Sequence, residues 1–173
     1  AVLRRGASTI NQKWSINQAI LSGDVLMINA YKHLLQSKKV NNFFLKQFTQ
    51  TAIKICEGQQ LDLDMQSKTR ISLDDYYKMI DAKTGALIQF ALTSPCYLTE
   101  LGCEYFNTMN SIGSYLGKLF QIQDDYLDLY GEEIKTGKIK GGDVFENKKT
   151  FLYAVALNVA DSRQKEKIET VYH

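Results

Sequence analysis

Apolar residues along this chain recur at spacings of three and four rather than two, the period of a helix that buries one face. That spacing predicts helices over 14–36, 40–66, 72–93, 100–131, 143–160 and 161–172. Ser72 with Asp75, and Asp161 with Gln164, read as N-caps followed by a side chain able to reach back to the cap. Ile16, Ile20, Val25, Ile28 and Leu35 form a stripe expected to bury one face of the first helix. The single proline, Pro95, leaves long helices possible and is expected to kink or stop its own helix near Ser94. The expected architecture is all-α: one domain, a bundle of long, mostly antiparallel helices around a central cavity.

Composition narrows the function. A chain of 173 residues buries enough surface for a sizeable core without a cofactor. Its net charge of +2 is spread along the sequence, so no single-sign field marks a nucleic-acid binder. No run of 18 apolar residues is present, so no membrane span is expected. Cys56, Cys96 and Cys103 are odd in number and lack CxxC spacing. Neither a disulfide framework nor a zinc site is therefore expected, and a reducing cytoplasm is the expected setting. The chain opens at AVLRRG and closes inside the helical pattern DSRQKEKIETVYH, so it is expected to be part of a longer domain.

The segment FQIQDDYLD sets three carboxylates into a largely apolar run. On a helix, Asp124 and Asp128 stand one turn apart on one face, with Asp125 beside them. Like charges at that spacing repel, the more so in the low-dielectric setting that Phe120, Ile122, Leu127 and Leu129 imply. A cation should offset them, unless the run is a solvated acidic face. Mg²⁺ suits the donors, because it takes one or two carboxylates, several waters and the oxygens of a substrate phosphate.

Other residues suit the same chemistry. Arg4 and Arg5 offer two forks for phosphate oxygens, or form a solvated end. Gln59 and Asp62, at i and i+3, can face one cavity, or belong to the polar side of an amphipathic helix. Lys83 and Thr84 sit mid-helix, where a lysine by default reaches to solvent. After the acids, GEEIKTGKIKGGDVFENKK mixes glycines with Lys135, Lys138, Lys140, Lys148 and Lys149, either a flexible loop or a phosphate cradle. His33 and His173 are the only histidines, and neither a GxSxG elbow nor a P-loop is present, so hydrolase and kinase readings lose support.

Taken in order, RRG, GQxxD, KT, FQxxDDxxD and GK followed by GD and a lysine resemble the trans-isoprenyl diphosphate synthases over nearly the whole chain. SPCYL departs from the small residues and glycine usual at that point. The resemblance implies a prenyltransferase that condenses isopentenyl diphosphate with an allylic diphosphate, with Mg²⁺ as cofactor and a homodimer as its assembly. Asp124, Asp125 and Asp128 would hold metal. Lys83, Thr84, Gln121 and Asp124 would act in catalysis, the lysine on the allylic diphosphate and the threonine oxygen on the developing cation. Arg4, Arg5, Gln59, Asp62, Lys83, Gln121, Lys138 and Lys148 would bind substrate. The same resemblance implies a first DDxxD motif upstream of Ala1, with its last aspartate two positions before Ala1. A regulatory subunit without activity is the main alternative. A terpene cyclase is disfavoured, because such enzymes usually replace the second DDxxD and lack the isopentenyl-binding cations.

Overall fold

The computed structural model describes residues 3–4, 6–99, 104–132 and 140–172. The chain is an all-α bundle, as its periodicity predicts. It begins with a two-residue hairpin, β1 (Leu3–Arg4) pairing antiparallel with β2 (Ala7–Ser8), and Gly6 between them takes φ 77°. A short turn α1 (Ile10–Lys13) precedes α2 (Ile16–Gln36) and α3 (Asn42–Gln66). Next comes a continuous rod: α4 (Leu73–Ile80), a π-turn (Asp81–Gly85) and α5 (Ala86–Leu98). Then follow α6 (Phe106–Tyr130), the short turn α7 (Gly142–Phe145), α8 (Phe151–Val159) and α9 (Ser162–Val171).

Both predicted caps are reciprocal capping boxes. Ser72 Oγ accepts from the Asp75 amide at 3.0 Å while the Asp75 carboxylate accepts from the Ser72 amide at 3.0 Å. Asp161 and Gln164 repeat the exchange at 2.8 and 3.0 Å. Each satisfies two of the amides a helix start leaves without partners.

Four expectations are corrected. Pro95 does not end its helix near Ser94; α5 runs on to Leu98. The proline cannot supply the amide that would bond the Ala91 carbonyl, and Ser94 Oγ donates to that carbonyl instead, at 2.9 Å. The single helix expected over 143–160 is two, because Asn147 adopts φ 55° and Thr150 caps a new start at Phe151. The stripe on α2 is not buried: Ile16, Ile20, Val25, Ile28 and Leu35 are 47–70% exposed. It is Tyr31 that turns α2 toward α3, its ring against Phe48 and its hydroxyl on Thr49 Oγ1 at 2.9 Å. Finally, Cys96 is disulfide-bonded while Cys56 is free and exposed. An odd count leaves a thiol over but does not forbid one bridge, so cysteine usage no longer speaks for a reducing compartment.

The core that positions the site lies where α3, α4 and α8 meet. Met65, Ile71, Tyr76, Met79, Ile80, Tyr153, Ala154 and Leu157 form its buried cluster, and Ile122 of α6 packs against it. No described helix is long and apolar enough to cross a membrane.

Candidate active site

A cavity of about 280 Å³ opens between α3, the rod and α6, and the segment 143–150 closes one side. Asp62, Lys83, Gln121, Asp124 and Lys148 all line it. The sequence reading of these five residues as one constellation thus corresponds to one space. A separate depression of about 220 Å³ near Arg70 and Lys165 contains none of them.

The π-turn delivers Lys83 and Thr84. Lys83 Nζ donates to Asp62 Oδ2 at 2.6 Å, and Gln59 reaches the same oxygen at 3.4 Å from one turn earlier on α3. Asp62 is buried, whereas Gln59 is exposed. Thr84 Oγ1 donates to Gln121 Oε1 at 2.9 Å, and Gln121 Nε2 donates to Asp125 Oδ1 at 2.9 Å. The hydroxyl, the amide and the carboxylate therefore form one line running from the rod into α6.

Glycine makes the approach possible. A Cβ on Gly58 of α3 would lie 2.3 Å from the Lys83 nitrogen, and one on Gly117 of α6 would lie 2.5 Å from the Gly85 Cα. Both distances are far inside van der Waals contact, so only glycine lets the two helices touch the π-turn backbone.

The three acids of DDYLD have different surroundings. Asp125 is 3% exposed and fully engaged. Its Oδ2 accepts from the Tyr76 hydroxyl at 2.7 Å and the Phe151 amide at 2.8 Å, beside the Gln121 bond on Oδ1. Burial pushes its carboxyl upward, and the Phe151, Gln121 and Tyr76 donors only partly oppose this. The Tyr76 hydroxyl is pushed up by burial and by Asp125, so it remains a donor. Asp128, also buried, accepts from the Asp143 amide at 3.0 Å, and its carbonyl accepts from Gly141, whose φ is 74°. Asp124 is half-buried and faces the cavity. The expected apolar surroundings are only partly there: Phe120 is 59% exposed, and Tyr76, Phe151 and the 141–143 turn supply the enclosure instead.

The donors suit a cation shared with a ligand. Among the described residues, no group of three or more His, Cys, Asp or Glu is arranged to hold a metal unaided. Asp125 and Asp128 are held by hydrogen bonds from Tyr76, Phe151, Gln121 and Asp143, while Asp124 lines the cavity together with Asp62, Asp125 and Asp143. One carboxylate with phosphate oxygens and water is the manner of Mg²⁺ binding, so the residues fit that ion when a diphosphate accompanies it.

Cations line the same cavity. Lys148 Nζ pairs with Asp143 at 2.7 Å and Glu146 at 2.8 Å. Burial alone would lower its ammonium, but those two carboxylates outweigh it and hold it well above the usual lysine range. Lys149, which the sequence reading left in the loop, is only 2% exposed. It donates to Asn147 Oδ1 at 2.8 Å and to the Tyr172 carbonyl at 3.0 Å, between the rings of Tyr153 and Tyr172. Burial lowers its ammonium. Tyr76, Asp81, Gly58 and Gly117 also went unnoticed, because long-range partners, not local spacing, give them their roles. Arg5 and Lys138 lie outside the described residues, and Arg4 is described only as backbone in β1.

Comparison with known proteins agrees with this geometry. The Polyprenyl synthetase family model matches residues 1–173. The geranylfarnesyl diphosphate synthase of Natronomonas pharaonis is 33% identical over 153 residues, 87% of this chain and 45% of that protein. A short chain isoprenyl diphosphate synthase of Methanothermobacter thermautotrophicus is 30% identical over 171 residues, 98% of this chain and 53% of its own length. In structure, geranylgeranyl pyrophosphate synthetase from Pyrococcus horikoshii superposes with a TM-score of 0.88 at 32% identity, over 98% of this chain and 53% of that one. The chain spans about half the length of the curated relatives it matches. By motif order, helical architecture and these similarities together, the chain belongs to the polyprenyl synthetase family.

Proposed function

We propose that this protein is a magnesium-dependent trans-prenyltransferase that condenses isopentenyl diphosphate with an allylic diphosphate to give a longer prenyl diphosphate. The observation that carries this is the convergence of Asp124, Lys83, Gln121, Asp62 and Lys148 on one cavity. A carboxylate that suits a hard cation shares this cavity with two ammonium groups that suit a diphosphate. Gln59, Arg4, Arg5 and Lys138 join the substrate-binding set by resemblance, as Asp125 and Asp128 join the metal set. A homodimeric assembly is part of the same proposal.

Bound Mg²⁺ would withdraw charge from the diphosphate as it leaves. The chain's own residues do the rest. Lys83 and Lys148 hold the leaving group by charge-assisted bonds, and such preorganised charge is worth several kcal/mol of barrier in a dry site. The C–O bond breaks with its electron pair on the diphosphate, leaving an allylic cation. Thr84 commits its proton to Gln121, and by resemblance the lone pairs of its oxygen stabilise the developing cation. The double bond of isopentenyl diphosphate attacks the cation, and the proton then lost passes to the released diphosphate. Among the described residues no histidine lines the cavity, in keeping with a base supplied by the substrate.

The test is chromatography of products from full-length protein given dimethylallyl diphosphate, isopentenyl diphosphate and Mg²⁺. Longer prenyl diphosphates are expected. Cyclic hydrocarbon from the allylic substrate alone would indicate a cyclase, and native protein that yields no product would indicate a regulatory subunit.

A further inference from the structure

We infer that Asp81, outside the cavity, is a positioning residue that holds the rod in its π form and so aims Lys83 and Thr84; this rests on the prenyltransferase proposal above. Asp81 opens the π-turn, and its carboxylate gathers donors from three elements. Lys54 Nζ of α3 reaches Oδ2 at 3.0 Å. Ser114 Oγ of α6 and Gln89 Nε2 of α5 reach Oδ1 at 2.7 and 2.9 Å.

The Gln89 bond depends on the π-turn itself. At 3.6 residues per turn, positions eight apart on a regular α-helix differ by about 80° around the axis. A π-turn absorbs one extra residue, so the same pair advances like positions seven apart and differs by about 20°. Asp81 and Gln89 thus share a face only when the rod is wound this way. If it relaxes to regular α-helix, the two side chains swing apart, and every residue beyond the turn rotates relative to α4.

That rotation would reach the cavity. Lys83 and Thr84 lie inside the turn and serve different neighbours, α3 through Asp62 and α6 through Gln121. A π-turn has poorer hydrogen-bond geometry than α-helix and persists only where tertiary contacts favour it. Gly58 and Gly117 make room for it, whereas Asp81 supplies the attraction. A Cβ on Gly113 would lie 2.6 Å from the Gln89 Cα, so α6 also fixes where Gln89 stands. The carboxyl of Asp81 is drawn up by burial, but Ser114, Lys54 and Gln89 outweigh this and keep it ionised.

Two variants of the full-length protein decide the matter, Asp81→Asn and Gln89→Leu. Backbone amide exchange and steady-state kinetics are read on each. Exchange at residues 85–89 should quicken at least tenfold in both, with residues 153–157 of α8 unchanged. Turnover should fall at least tenfold while KM for isopentenyl diphosphate stays within threefold, and the unchanged exchange at 153–157 separates this from a general loss of folded protein. Exchange at 85–89 within twofold of wild type in both variants overturns the inference, as does quickened exchange with wild-type turnover. If Asp81→Asn does not fold, Gln89→Leu alone decides by the same criteria. Wild-type protein without prenyl transfer would count against the proposed function, while exchange would still report on the clamp.

Discussion

Lys83 Nζ stands 2.6 Å from Asp62 Oδ2, so the cation expected to grip diphosphate already has a carboxylate partner beside it in the cavity lining. Asp62 is the more enclosed of the two, its side chain 9% exposed against 29% for the lysine. The pair keeps a buried acid neutralised while holding the ammonium at the cavity wall.

Lys83→Ala should therefore raise the substrate requirement and lower turnover together. A charge-assisted contact is worth about 1.5 to 3 kcal/mol, roughly a tenfold to hundredfold loss in kcat/KM. Circular dichroism should stay native. Native protein with unchanged kinetics would return Lys83 to a purely structural partner of Asp62.

Asp124→Ala and Asp64→Ala make a paired comparison. Asp124 lines the cavity, whereas Asp64 is exposed on α3 and its carboxylate accepts from the neighbouring Gln60 at 2.8 Å. The first change should cost at least about a hundredfold in turnover, close to 2.7 kcal/mol of transition-state stabilisation, and the second almost nothing. Equal rates at saturating Mg²⁺ would remove Asp124 from the metal site.

Asp125 behaves differently from its neighbour, and Tyr76→Phe isolates the difference. Removing the hydroxyl leaves Asp125 Oδ2 with the Phe151 amide alone. A lost bond to a buried carboxylate costs about 1.5 to 3 kcal/mol, so the urea midpoint should fall with the slope unchanged. The turnover loss should be smaller than that of Asp124→Ala. A stable variant with wild-type midpoint would mean that the Tyr76 bond contributes nothing net.

Gly58→Ala should be among the most damaging single changes on α3, because its methyl would meet the Lys83 backbone at 2.3 Å. Overpacking of this kind costs about 1 to 3 kcal/mol or more. Thermal unfolding and turnover should both suffer. An active variant of wild-type stability would show that the rod can shift aside at no cost.

Much of this was legible in the sequence, for identifiable reasons. Apolar periodicity marks helices wherever one face is buried, and the caps at Ser72 and Asp161 are local patterns that need no tertiary knowledge. The cavity constellation was legible because DDYLD, KT and the lysine-rich segment each carry unusual chemistry over a few residues. What was hidden depends on partners far along the chain. Asp81 draws its donors from 27 residues before it and 33 after it, and Gly58 matters only because another helix lies against it. The π-turn was invisible for the same reason, since Lys54 and Ser114, which hold Asp81 at its start, lie on other helices. Pro95 misled because the serine that replaces its missing bond acts through a side chain that the backbone rule ignores.

The cavity between α3, the rod and α6 is proposed to hold a metal-bridged diphosphate. A crystal structure of full-length protein with Mn²⁺ and a thio-linked, non-ionising allylic diphosphate analogue tests it most directly, because the manganese anomalous signal locates the ion independently of the organic group. Manganese is expected in contact with Asp124, and the diphosphate against Lys83 and Lys148. Manganese and diphosphate bound elsewhere, with Asp124 and Lys83 still facing an empty cavity, would contradict it.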